Sequence, residues 1–184
     1  MRIIAGKYRG RRLKTLRGRV VRPTSDKLRE TLFNVLGPEV PEAVFIDCYT
    51  GSGAVGLEAL SRGASRVFFI EQDAAAVTVL IQNVALLGLG ALTRIVRADV
   101  EAGLRKLAAE GVCAEMCFFD PPYAALPEAL RNLSWLCDSS LMRPEGIIIL
   151  EHSRKDSTPV QIGNWSRSRL LNQGSSALSF YRRG

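Results

Sequence analysis

Four cysteines and a single histidine are all the soft metal ligands the 184-residue chain has, and no two cysteines form a Cys-x-x-Cys pair. Cys113 and Cys117 are four apart, but no His or Cys pair follows at zinc-site spacing. The sequence therefore offers no metal framework, and Cys48, Cys113, Cys117 and Cys137 read as reduced thiols of a cytoplasmic protein. No apolar run approaches the roughly 20 residues of a membrane helix. No apolar stretch follows the first positive charges, as a secretory signal would require. Internal repeats, low-complexity tracts and long linkers are also missing. One further absence is local: residues 1–22 contain no acid.

Those 22 residues hold nine cations, among them Arg2, Lys7, Arg9, Arg11, Arg12 and Arg22, while the whole chain carries +7. The rest of the chain is therefore at a net of −2, a near-neutral domain (23–184) behind a basic arm (1–22). A segment of this kind is an electrostatic footprint for a phosphate backbone. Ile3, Ile4, Tyr8, Leu13 and Leu16 interleave with the charges, and Gly6 and Gly10 supply turns. The arm reads as a short hairpin with one packed and one cationic face.

The sequence is 47% apolar over the whole chain, enough for one sizeable core. Thr24 or Ser25 can cap a helix whose Leu28, Leu32, Val35 and Leu36 share a face, and Gly37-Pro38 ends it. From there strands alternate with helices. Strands are expected at 44–48, 66–71, 93–97, 116–119 and 147–151, with helices at 54–62, 74–87, 101–110 and 126–137 between them. An antiparallel pair is expected at 168–171 and 177–181. The pattern predicts an α/β fold: a Rossmann-like, doubly wound, mostly parallel seven-stranded sheet with an antiparallel C-terminal hairpin. Ligands of such sheets sit at the carboxyl ends of the strands.

Chemistry is legible at those ends. Asp47 closes the first strand and runs into Gly51-Ser52-Gly53-Ala54-Val55-Gly56, a GxGxxG turn between strand and helix. Such a turn serves nicotinamide, flavin or S-adenosylmethionine. Asp47 favours the last, because a carboxylate repels a pyrophosphate but attracts the amino group of a methionine. Glu71 ends the second strand, where an acid can accept from both ribose hydroxyls of either cofactor class. Asp99, after the third strand, can contact an adenine amino group or cap the helix that follows.

The fourth strand ends in Asp120-Pro121-Pro122-Tyr123. Two prolines fix a rigid turn with no backbone donors. The lone pair of an exocyclic amine on a nucleobase is delocalised, so the amine must be held and polarised before it can attack a methylsulfonium. Asp120 can accept one N–H and the Pro121 carbonyl the other, while Tyr123 can stack on an extruded base. Positioning suffices for this step; neither metal nor covalent nucleophile is needed. His152, Trp135 and Trp165 read as packing residues, and Arg182 and Arg183 as either phosphate contacts or solvated cations.

Asp-Pro-Pro-Tyr with Asp47-x-x-x-Gly-x-Gly resembles the class I amino-methyltransferases. Arg2-Ile3-Ile4-Ala5-Gly6, Arg9-Gly10-Arg11-Arg12-Leu13, Arg22-Pro23-Thr24-Ser25-Asp26-Lys27-Leu28-Arg29-Glu30 and the stretch from Gly51 to Ala64 extend the likeness over almost the whole chain, and it is similar there to the RsmD family. That family's turn begins Asp-x-Phe-Ala-Gly; here it is Asp47-Cys48-Tyr49-Thr50-Gly51, which keeps the acid and the glycines. The resemblance implies S-adenosyl-L-methionine as donor and guanine N2 in 16S ribosomal RNA as acceptor, within a partly assembled small subunit, and a monomeric enzyme. From residues alone three other readings stay open. They are a DNA adenine-N6 or cytosine-N4 methyltransferase, an NAD-dependent oxidoreductase and a non-catalytic RNA-binding module.

Overall fold

The computed structural model describes residues 1–16 and 25–184. Its centre is an eight-stranded sheet in the order β3-β2-β1-β4-β5-β8-β7-β6. β1 (Val44–Cys48), β2 (Arg66–Ile70), β3 (Thr93–Val96), β4 (Ala114–Phe119) and β5 (Met142–Ser153) pair in parallel. β8 (Ser176–Arg183), β7 (Trp165–Gln173) and β6 (Gln161–Ile162) continue the sheet antiparallel. β1, β2 and β4 are almost fully buried, as expected where helices cover both faces, while β3 at the sheet edge is only half-buried.

α1 (Asp26–Leu36), α2 (Ala54–Ser61) and α3 (Ala74–Leu87) pack on one face, over Phe45, Phe69, Phe118 and Ile149. α4 (Val100–Ala109) and α5 (Leu126–Asp138) cover the other, over Ile46, Ile70, Phe119 and Leu150. Ser25 caps α1, its hydroxyl accepting from the Leu28 N–H. Asp73 and Asp99 cap α3 and α4 in the same way, so each of these helices starts on a side chain that satisfies its orphan donors. The direction of winding reverses between β1 and β4, which opens a crevice at their carboxyl ends.

Two details differ from the sequence expectation. The sheet has eight strands rather than seven, because β6 is a two-residue edge strand, too short to show any periodicity. β5 and β7 are longer than their apolar cores. Pro144 and Gly146 disguise the start of β5, and Arg167 and Arg169 flank a register shift in β7. The N-terminal arm folds into the short hairpin expected, with an antiparallel bridge from Arg2 to Arg12, and is tied by three backbone bonds: Ile3 N–H to the Arg11 carbonyl, Leu13 N–H to the Met1 carbonyl and Gly10 N–H to the Ile3 carbonyl. Its Ile3 and Leu13 enter the main core, while Arg2, Lys7, Arg9, Arg11 and Arg12 stay exposed.

All four cysteines are free; Cys48, Cys117 and Cys137 are buried. Among the described residues no helix is long and apolar enough to cross a membrane.

Candidate active site

Asp47 is buried, and its Oδ2 accepts the Gly56 N–H at 2.9 Å. That bond fastens the start of α2 to the end of β1 and holds the glycine turn between them. Gly53 sits at φ 83°, a backbone conformation that favours glycine, and a Cβ there would lie 2.3 Å from Leu80 Cδ1, which would have to move. Gly56 is needed for another reason. A Cβ on it would lie 2.4 Å from the Phe69 ring, so it faces the sheet and allows close helix–strand packing. A Cβ on Gly51 would meet no atom within 4 Å, so this edge of the turn is open.

Glu71, the first residue after β2, grips the same turn. Its Oε2 accepts the Gly51 N–H at 2.8 Å and its Oε1 the Asp73 N–H at 2.8 Å. Asp99 Oδ1 accepts the Ala102 N–H at 2.8 Å, so its capping role is realised. Pro121 is buried, whereas Pro122 and Tyr123 are exposed, Tyr123 at 57%. The Pro122 carbonyl accepts the Ala125 N–H at 2.7 Å, which closes the turn into a single 3-10 turn ahead of α5.

The carboxylates interact. The Asp47 carboxyl is pushed well above the usual carboxylate range, chiefly by burial. The Gly56 hydrogen bond opposes this, and the nearby charges of Asp120 and Glu71 reinforce it. Three acids from the ends of β1, β2 and β4 therefore lie close enough at the switch point to feel one another's charge. No group of three metal-ligating side chains is found among the described residues.

Tyr49 extends the site toward α5. It adopts φ 59°, unusual for an aromatic residue, and its ring lies 6.5 Å from that of Phe119. Its hydroxyl is buried facing the side chain of Asn132 on α5, whose Nδ2 is buried with it. Burial, reinforced by Glu128, pushes the Tyr49 phenol up to about 12, so it remains a protonated donor at neutral pH.

The basic arm is fixed by groups that patterning did not single out. Glu58, fully buried on α2, accepts from the Ile4 N–H at 2.7 Å, the Ala5 N–H at 3.0 Å and Arg62 Nε at 2.8 Å. Gly6 passes so near α2 that a Cβ would lie 1.8 Å from the Ser61 carbonyl oxygen. Asn83 on α3 joins arm to turn: its Oδ1 accepts the Lys14 N–H at 2.8 Å, and its Nδ2 donates to the Lys14 and Ser52 carbonyls. A lone acid in the otherwise apolar run Ala54-Val55-Gly56-Leu57-Glu58-Ala59-Leu60 is the available signal for a buried carboxylate. Arg22 lies outside the described residues.

His152 is buried behind the site, its Nε2 2.9 Å from Ser179 Oγ and its Nδ1 2.9 Å from the Ser153 carbonyl. Burial lowers its pKa. Trp165 is buried and donates to the Cys137 carbonyl at 3.2 Å.

Comparison with known proteins agrees with this architecture. The model of a family described as conserved hypothetical protein 95 matches residues 1–182. Ribosomal RNA small subunit methyltransferase D of Escherichia coli K12 is 39% identical over 184 residues, covering 100% of this chain and 90% of that protein. The protein of the same name from Haemophilus influenzae is 33% identical, covering 99% and 92%. A solved structure of a hypothetical protein from Thermus thermophilus superposes with a TM-score of 0.85 at 34% identity, covering 99% of each chain. With that match across nearly its whole length, the chain belongs to the family of conserved hypothetical protein 95, the RsmD methyltransferases.

Proposed function

We propose that the protein transfers a methyl group from S-adenosylmethionine to the exocyclic N2 amine of a guanine in small-subunit ribosomal RNA. The observation that carries this reading is the crevice of Asp47, Glu71 and Asp120 beside an Asp-Pro-Pro-Tyr turn. Clustered acids suit a ligand with a sulfonium and an ammonium, which would draw the Asp47 proton off, and disfavour the pyrophosphate of a dinucleotide. The family relatives are named for ribosomal RNA methylation, which supports RNA over DNA as the acceptor.

The residues fit the donor. Asp47 faces its ammonium, Glu71 its ribose hydroxyls and Asp99 its adenine, with the open edge at Gly51 leaving room for the chain between them. The donor supplies an electrophilic methyl on sulfur. Asp120 accepts one N–H of the guanine amine and the Pro121 carbonyl the other, so the nitrogen lone pair is turned toward the methyl. Exposed Tyr123 stacks on the base once it has left its helix. As the N–C bond forms, the S–C bond breaks and its electron pair stays on sulfur. The amine then sheds a proton, for which the Asp120 carboxylate is the adjacent acceptor. The exposed cations Arg2, Lys7, Arg9, Arg11 and Arg12, with Arg22, hold the RNA backbone.

The test is incubation with methyl-labelled donor and protein-free small-subunit RNA, partly assembled subunits or DNA, followed by nucleoside mass spectrometry. N2-methylguanosine from either RNA form supports the reading; label only in DNA, or on another base, contradicts it.

A further inference from the structure

A second concave surface lies at the same edge of the sheet, on the face covered by α4 and α5. β5 runs three residues beyond Leu150, the partner of Phe119 in the β4–β5 register, so His152 and Ser153 stand level with the turn after Asp120. Leu170 pairs with Ser179 and Asn172 with Ala177, which puts Leu170 and Asn172 on the His152 face. The connection from Arg154 to Val160 closes over them to leave a pocket of about 340 Å³.

Its lining combines two chemistries. Arg154, Lys155 and Arg167 contribute three cations against one acid, Asp156. Val160 and Leu170 stand 64% and 43% exposed, although both are apolar. Cations alone would fit any anion; cations beside bare apolar side chains fit a nucleotide, with its charged phosphodiester and flat base.

The charge is also pre-positioned. Arg167 Nη1 donates to the Thr158 carbonyl at 3.2 Å and to Thr158 Oγ1 at 2.9 Å. Thr158 Oγ1 lies 3.1 Å from Ser179 Oγ, which lies 2.9 Å from His152 Nε2. The Ser153 carbonyl can only accept, so His152 Nδ1 carries the proton and Nε2 accepts from Ser179. Thr158 in turn donates to Ser179, and its lone pairs are left for Arg167. A directional chain from a buried imidazole thus holds the guanidinium at the rim.

We infer that this pocket is a subsite for an RNA nucleotide flanking the target, with Arg154 and Lys155 on its phosphodiester and Val160 and Leu170 against its base. The inference rests on the reading that the substrate is RNA. Arg154 and Lys155 are exposed, and the hydrogen bonds of this loop, Arg154 N–H to the Ser175 carbonyl and Lys155 N–H to Ser153 Oγ, use only their backbones. Truncation should therefore leave the fold intact.

The experiment measures binding and methylation of small-subunit ribosomal RNA, both as a protein-free transcript and in partly assembled subunits, by the wild type, Arg154→Ala/Lys155→Ala, Leu170→Asp and, as a distant control, Lys106→Ala at the far end of α4. In the double variant the loss should fall on KM, about tenfold, rather than on kcat, and the slope of log K against log salt should flatten by about two. Leu170→Asp should raise KM further than Lys106→Ala does. Wild-type KM and salt slope in the double variant would overturn the subsite while leaving the methyltransferase reading intact. No methylation of either RNA form by the wild type would overturn both.

Discussion

Asp47 Oδ2 and the Gly56 N–H, nine residues apart, are joined at 2.9 Å, and this bond ties the first strand to the helix that follows the glycine turn. It also places a carboxylate where burial and two neighbouring acids push its pKa well up. A raised acid pKa means that the folded chain keeps a proton which the unfolded chain, at about 3.9, has released. The stability from this group is full below that pH and is lost as pH rises through the folded pKa. Asp47→Asn can still accept from Gly56 and lacks the charge. Its Tm should match the wild type near pH 4 and exceed it increasingly toward pH 8, while donor affinity falls on the order of tenfold or more. Parallel Tm–pH profiles would contradict this account of Asp47.

Glu58 is expected to be the anchor of the arm. Alanine there leaves two backbone N–H groups and Arg62 without their acceptor in a buried setting. The cost in urea unfolding should be about 3 kcal/mol. A change within about 0.5 kcal/mol, the range of ordinary surface substitutions, would mean that the arm docks by its apolar residues alone.

Arg9, Arg11 and Arg12 carry exposed charge on that anchored arm. Neutralising all three should flatten the log K–log salt slope for RNA by about three without altering donor affinity. An unchanged slope would remove the arm from the RNA interface.

Tyr49 offers a stability test at the site. Its buried hydroxyl faces the buried Asn132 side chain. Tyr49→Phe leaves that amide without its polar neighbour and should destabilise the free protein by about 1 kcal/mol, lowering Tm by about 3 °C. An unchanged or higher Tm would mean that the two side chains do not bond.

Much of this fold could be read from the sequence because its strands are short apolar runs closed by residues with one clear purpose: Asp47, Glu71 and Asp120 at the carboxyl ends, Gly88 after α3, Gly37-Pro38 after α1. What escaped was set by tertiary contact. Glu58 and Asn83 look like ordinary polar residues on helices, and only the approach of the arm makes one an anchor and the other a bridge. Gly56 was legible as a motif glycine, but its direction, toward Phe69 rather than the turn's open edge, depends on how α2 lies on the sheet. β6 was invisible because two residues have no period.

The central claim is that Asp120 orients the acceptor amine, and it is tested most directly by Asp120→Ala. The variant should bind S-adenosylmethionine with near wild-type affinity in calorimetry, and its single-turnover methyl transfer to small-subunit RNA should fall by about a thousandfold or more. Transfer at the wild-type rate by a variant that binds both substrates would contradict the account.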